Sequence, residues 1–228
     1  MELLERMPSE NSRSYALRVL KYNIVNLELT PGSAVSENVL ASQMNVSRTP
    51  VREALIELSH MDLVTILPQR GSYVAKMDYG MIEEAQFIRL VLENAILELV
   101  CKGISEEYIQ KLEKNLTLEE KYVDGVDNEE FMRLDNEFHQ LLFAAADKQR
   151  TFSLVSAQMV HFDRFRELAL KAVSSAKIVE DHKNILQAVK AHDQELAQFL
   201  MKRHLTRHLE ERVEVVAKYP DYFVDNEC

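Results

Sequence analysis

The stretch Ala41–Leu58, ASQMNVSRTPVREALIEL, constrains the fold more tightly than any other part of the chain. Its apolar positions fall at helical spacing on either side of Met44–Val46, so the segment predicts a short helix, a tight turn and a second helix. Ser47 stands at the N-cap position of that second helix, and Pro50 falls in its first turn, where a missing N–H does no harm. Val51, Ala54, Leu55 and Leu58 provide the buried stripe. Arg48 and Arg52 lie four apart and therefore project from one helical face.

The flanks extend this unit. Residues 12 to 28 place Ala16, Leu17, Leu20, Ile24, Val25 and Leu27 at helical spacing, and Pro31 with Gly32 ends the helix they predict. Ser36 and Glu37 open a second helix through Gln43 in which Val39, Leu40 and Met44 face the core, and the third helix ends near Met61 and Asp62. In LVTILPQRGSYVAKM, the strand formers Leu63, Val64, Ile66, Tyr73 and Val74 flank a turn of Pro68, Gln69, Arg70 and Gly71, which predicts a β-hairpin. Three helices followed by a hairpin wing form a winged helix-turn-helix over residues 1 to 77.

The chemistry of that unit is recognition. Ser47 and Thr49 can donate to phosphate oxygens at a helix N-terminus, while Arg48 and Arg52 have the fork geometry to reach guanine O6 and N7. Arg70 at the wing tip can enter a neighbouring minor groove, and Gly71 lets the hairpin turn tightly beside the backbone. Double-stranded DNA is the expected partner. The formal net charge of -10 does not oppose this, because residues 1 to 77 hold eight basic and eight acidic side chains. The totals of 27 and 37 leave 19 against 29 for the rest, so the excess of acid lies wholly in the second part. An acidic second part discourages indiscriminate binding to DNA.

Five glycines and five prolines in 228 residues, together with the absence of tryptophan, favour a mostly α protein. From Asp78 onward, residues 78 to 102, 105 to 123, 127 to 146, 149 to 172, 176 to 190 and 192 to 218 carry helix-spaced apolar positions. Six helices predict an all-α antiparallel helical bundle over residues 78 to 228. Its breaks are expected at Gly103-Ile104-Ser105, Asp124-Gly125, Asp147-Lys148 and Ser174-Ser175, with a polar tail, Pro220 to Cys228, frayed at the end. Cys101 and Cys228 are the only cysteines, which fits a reducing cytoplasm and leaves no disulfide framework. No segment approaches the ~20 apolar residues of a membrane span.

Within this second part, Asp135 and His139 in RLDNEFHQLLF sit at i and i+4, on one helical face. His182 and His204 lie on later helices beside apolar residues that turn them inward. Three histidines and a carboxylate make an open site for a divalent transition metal, Zn²⁺, Ni²⁺ or Mn²⁺. His204 is favoured over its neighbour His208 because Leu200, Met201 and Leu205 flank it. Arg89 interrupts an apolar face in FIRLVLENAILELV, and such an arginine wants an anion, either a ligand carboxylate or Glu84 or Glu93.

The SRTPVREAL segment, the run Pro31 to Ala41 before it and the RGSYV wing resemble the winged helix-turn-helix of GntR-type bacterial transcription regulators. Arg89 and Leu92-Glu93, then Asp135, His139, His182 and His204, resemble the FadR-C (FCD) ligand-binding domain of the FadR subfamily. The resemblance covers residues 12 to 218. It implies a repressor acting as a homodimer on a palindromic operator, its affinity controlled by a small organic acid effector that completes the coordination of the metal. Three departures from the family pattern stand out: Asn38 in place of a contacting arginine, Asp62 in place of a glycine before the wing, and Asp147 in place of an asparagine. Aspartate accepts unusual backbone angles better than most residues, so the last two are tolerable in turns. The alternative function is a metal-dependent enzyme acting on a small carboxylic acid, with the metal activating water.

Overall fold

The computed structural model describes residues 1–123, 127–172 and 174–224. The chain forms two compact units, Met1–Tyr79 joined by the segment that begins at Tyr219, and Gly80–Lys218.

In the first unit, α1 (Ser12–Val25) packs on α3 (Arg48–His60), and the short α2 (Glu37–Gln43) precedes the turn. Asn11 caps α1 by accepting from the Ser14 amide. The helix ends earlier than the apolar pattern suggests, because Leu27 adopts a left-handed φ of 63° while keeping its side chain buried. Val39, expected in the core, is 54% exposed, and Leu40, Ala41 and Met44 carry the buried face of α2 instead. The stripe of Val51, Ala54, Leu55 and Leu58 on α3 is buried as its spacing requires.

The wing has one strand more than the hairpin. β2 (Val64–Leu67) and β3 (Gly71–Val74) pair antiparallel, and the two-residue β1 (Ala34–Val35) adds to β3 opposite Tyr73 and Ser72, giving the order β1-β3-β2. At the tip the Arg70 amide donates to the Leu67 carbonyl at 3.0 Å, with Gln69 at φ 61° and Gly71 at φ 106°. Asp62 and Asp147 have φ of 55° and 56°, the left-handed turn geometry that their side chains tolerate.

Two further segments belong to this unit. The N-terminal residues lie along α1: buried Asn23 accepts from the Glu2 amide at 2.6 Å and donates to its carbonyl at 2.8 Å. Arg18 holds the same segment through Glu10 at 2.7 and 2.8 Å and the Glu5 carbonyl at 2.8 Å. The start of the expected frayed tail is instead ordered against Met77, whose amide donates to Tyr222 at 2.8 Å and whose carbonyl accepts from Val224 at 3.0 Å, with Phe223 buried. The buried Phe223 side chain gives this return its apolar anchor. The last four residues, 225 to 228, lie outside the described set.

The second unit is helical: α4 (Tyr79–Lys102), α5 (Glu106–Glu119), α6 (Asn128–Ala145), α7 (Gln149–Gln158), α8 (Val160–Leu170), α9 (Ala176–Lys190), α10 (Gln194–Leu205) and α11 (His208–Lys218). Two of the expected long helices are each divided. The run 149 to 172 breaks at Met159, whose amide donates to Ser156 at 3.3 Å in a tightened turn that lets Val155 before it and Phe162 and Phe165 after it all reach the core. The run 192 to 218 breaks at Thr206, whose hydroxyl donates back to the Lys202 carbonyl at 2.8 Å. The expected break at Asp124-Gly125 lies outside the described residues. Among the described residues no helix is long and apolar enough to cross a membrane.

Candidate functional site

Ser47, Arg48, Thr49 and Arg52 are all exposed at the start of α3, as are Arg70 and Gly71 at the wing tip. Ser47 holds the N-cap position with extended backbone, φ -72° and ψ 165°, and its hydroxyl makes no capping bond. The first turn of α3 therefore presents amide hydrogens and a hydroxyl together, the arrangement that takes an anion. Arg48 is restrained from one side by Glu37 of α2, with Nε to Oε2 at 2.5 Å. The pair is exposed on the arginine side, so it orients the guanidinium more than it neutralises it.

In the second unit, α6 contributes Asp135 and His139, α9 contributes His182 and α10 contributes His204, and all four are gathered in one cluster. One ligand-type atom from each lies within 4.8 Å of the others. The ring nitrogens meet at their tips: Nε2 of His204 is 3.2 Å from Nε2 of His139 and 3.3 Å from Nε2 of His182. Asp135 completes the group, its oxygens 4.0 Å from His139 Nε2 and 3.8 Å from His182 Nε2.

A carboxylate stands behind each ring. Glu93 Oε2 is 2.6 Å from His139 Nδ1, and Glu119 Oε2 is 2.9 Å from His182 Nδ1. Ionised carboxylates only accept, so both Nδ1 atoms carry the proton and both Nε2 atoms present lone pairs. Those lone pairs point at a third ring nitrogen that has at most one proton to share. A cation satisfies all three, and the carboxylate–histidine pairs are the arrangement that orients metal-binding imidazoles. Asp181 lies behind His204 at 3.8 Å from Nδ1, beyond a direct hydrogen bond, and is itself held by Arg203 at 2.6 Å and by Arg207. The residues thus fit a divalent transition metal.

The electrostatics of His139, His204 and Asp135 agree with ligation, and His182 is drawn the other way by the carboxylate behind it. Burial pushes His139 well below the ordinary imidazole value and His204 down to about 4, keeping both in the neutral form that binds metals. Burial also pushes His182 down, but the Glu119 carboxylate more than offsets it, and the net direction is up. Burial opposes ionisation of Asp135, yet Arg166, followed by His182, His139 and Arg89, holds its carboxyl far below the usual range.

Arg89 is buried, and its Nε donates to Glu93 Oε1 at 2.6 Å, so it grips the carboxylate that holds His139. Glu93 was one of the two intramolecular partners its sequence position offered. The cation on Asp135 is Arg166, which also reaches Asn136 Oδ1 at 2.9 Å and Asp163 at 3.2 Å. His208 lies past the break, on α11, and its Nδ1 donates to the Leu205 carbonyl at 3.0 Å. Asp135 and His204 also line a cavity of about 60 Å³, together with Arg166, Arg207, Phe131, Phe162 and Phe165.

Glu119 and Asp181 escaped the sequence reading, as did the roles of Glu93 and Arg166. A signal for Glu119 was present. It shares the buried face of α5 with Leu112, Asn115 and Leu116, a helical position where a carboxylate needs a partner.

Comparison with known proteins agrees with the two units. The profile of the FCD domain matches residues 84–207, and that of the bacterial regulatory proteins of the gntR family matches residues 16–74. An HTH-type transcriptional regulator of an unstable DNA locus in Streptomyces ambofaciens is 36% identical over 214 residues, covering 93% of this chain and 89% of that protein. The HTH-type transcriptional repressor RspR of Escherichia coli K12 is 31% identical over 217 residues, covering 95% of each. The solved structure of E. coli McbR/YncC shares the fold, with a TM-score of 0.70 at 20% identity over 92% of this chain and 99% of that one. These relatives are transcription regulators rather than enzymes, which sets aside the metal-dependent enzyme as an alternative. The chain belongs to the GntR family of DNA-binding bacterial transcription regulators and carries an FCD domain behind its winged helix-turn-helix.

Proposed function

We propose that this regulator is a ligand-responsive repressor: a homodimer that reads a palindromic operator through Ser47, Arg48, Thr49, Arg52, Arg70 and Gly71, with an affinity set by a small organic acid bound at a metal site in the helical unit. The observation that carries this reading is the convergence of three imidazole Nε2 atoms and Asp135 beside a cavity, in the same chain as an exposed recognition helix. Asp135, His139, His182 and His204 hold the metal, and Glu93 and Glu119 fix the tautomers of two of the rings. The ion, Zn²⁺, Ni²⁺ or Mn²⁺, supplies a Lewis-acidic docking point for a carboxylate. Arg166 holds Asp135 in place at the edge of the cavity, and Arg89 acts on the site through Glu93. Repression is favoured by RspR, which carries the name repressor across 95% of its length in common with this chain.

A second copy of the chain has a place to dock. Phe87 and Val91, four apart on α4, are 64% and 51% exposed, and Phe199 on α10 and Val213 on α11 are 63% and 76% exposed. Apolar side chains this exposed, on helices of one unit, support dimerisation through the bundle. The effector acts on DNA affinity only if it binds the free and operator-bound dimers with different affinity.

The test is operator binding by purified protein in the metal-free state, with metal, and with metal plus candidate acids. A metal-dependent change in affinity on adding acid supports the reading. Affinity that is indifferent to both refutes the control, and loss of sequence preference that leaves Arg48→Ala and Arg52→Ala without effect refutes the interface.

A further inference from the structure

From the cavity beside the metal cluster we infer the class of the effector: a short aliphatic monocarboxylate, rather than a hydroxylated acid or a dicarboxylate. The inference rests on the reading that an organic acid binds at the cluster, and adds what the rest of that acid must be.

Size comes first. The cavity measures about 60 Å³. An apolar cavity of about 150 Å³ holds benzene, so this one accepts roughly two to three carbon atoms beyond the carboxylate at its polar edge. The wall decides polarity. Phe131, Phe162, Phe165, Leu170, Ile178 and Leu205 line it, and the rings of Phe162 and Phe165 lie near parallel, 14° apart, at 6.3 Å. The guanidinium of Arg166 sits over Phe162 at 5.8 Å and marks where the polar edge meets the apolar wall.

Most polar groups at the cavity are engaged by the protein; among the described residues the exceptions are Arg207 Nε and His204 Nδ1, which have no hydrogen-bond partner. Arg166 is bound by Asp135, Asn136 and Asp163, Arg207 by Asp181, and the Ser174 hydroxyl accepts from the Ala176 amide at 3.3 Å. A hydroxyl on the ligand body that lies against the phenylalanine, leucine and isoleucine wall loses water without replacement. A second carboxylate fares worse, because Arg166 is neutralised by Asp135 and Asp163, Arg207 is already paired with Asp181, which it shares with Arg203, and Glu211 adds a further acid to the lining.

The experiment is calorimetric titration of the zinc-loaded full chain with butyrate, 3-hydroxypropanoate and succinate. Butyrate and 3-hydroxypropanoate have the same number of heavy atoms and differ in a terminal methyl against a hydroxyl. Butyrate is expected to bind about ten- to a hundredfold more tightly than 3-hydroxypropanoate, with succinate weaker than both. Ile178→Thr, at a half-buried lining position, should narrow the gap between the first two while leaving zinc content unchanged. Equal or tighter binding of 3-hydroxypropanoate or succinate overturns the inference and leaves the effector reading standing. If none of the three binds zinc-loaded protein, the effector reading itself fails. Butyrate binding that survives His204→Ala, or a gap that Ile178→Thr leaves unchanged, places the ligand elsewhere and also overturns the inference.

Discussion

Glu119 gives the sharpest handle on whether the histidine cluster is a metal site. It is wholly buried on α5, 63 residues from His182, and its carboxylate oxygens stand 2.9 and 3.1 Å from His182 Nδ1. A carboxylate in that position fixes the tautomer, aims Nε2 at the cluster and raises the basicity of the ligand, and its removal typically lowers metal affinity about 10- to 100-fold. Glu119→Gln keeps an acceptor opposite Nδ1 and loses only the charge, so it belongs at the lower end, about tenfold or ~1.4 kcal/mol. Glu119→Leu also leaves the Nδ1 proton buried without an acceptor and belongs near 100-fold, ~2.8 kcal/mol. Zinc affinity is measured by competition with a chromogenic chelator, and metal-free melting is followed in parallel to separate folding from binding. Glu120→Gln is the control, because Glu120 is an exposed neighbour paired with Lys183. If both Glu119 variants bind zinc as tightly as the parent, while remaining folded, the cluster does not bind metal in the way its geometry requires.

Four further outcomes are expected. Arg48→Ala and Arg52→Ala should each remove about 1 to 3 kcal/mol of discrimination between operator and unrelated DNA, read by competition anisotropy. Asn23→Ala leaves the Glu2 peptide unmatched against α1 and should destabilise the first unit by about 1 to 3 kcal/mol, seen as a lowered melting temperature and faster proteolysis within residues 1 to 10. Glu10 is held down to about 2, from an ordinary 4.5, first of all by its hydrogen bond from Arg18. A depressed folded-state value means that its contribution to stability is full above pH 4.5 and disappears as pH falls towards 2, so Glu10→Gln should flatten the acid limb of a melting profile in that window. Phe87→Asp should convert a dimer to a monomer in sedimentation equilibrium if the exposed face of α4 is the dimer contact.

Much of the fold could be read locally, and the exceptions share a cause. The N-cap position of Ser47, the buried stripe of α3 and the left-handed turn at Asp62 follow from chemistry within a few residues. Asp135 and His139 announced themselves by helical spacing, and His204 over His208 by its apolar neighbours. The division of α10 from α11 did not, because the chain tightens there through three-residue bonds from the Arg207 and Leu209 amides to the His204 and Thr206 carbonyls, with no proline or glycine to mark it. β1 is two residues long and exists only through its pairing with β3, so no periodicity could reveal it. The carboxylates behind the imidazoles are the largest gap. Glu93 lies 46 residues from His139 and Glu119 lies 63 from His182, and such pairings are fixed by packing. Their trace in the sequence is a charge set on an apolar helical face, which marks burial without naming the partner.

The account stands most directly on operator affinity measured with and without the metal and acid. Fluorescence anisotropy of a labelled operator, titrated with metal-free protein, zinc-loaded protein and zinc-loaded protein plus butyrate, reads the coupling in one experiment. The account predicts that butyrate shifts the affinity of the zinc-loaded protein, that it does nothing to the metal-free protein, and that His139→Ala and His204→Ala abolish the shift. A shift of the same size in the metal-free protein or in the histidine variants contradicts it.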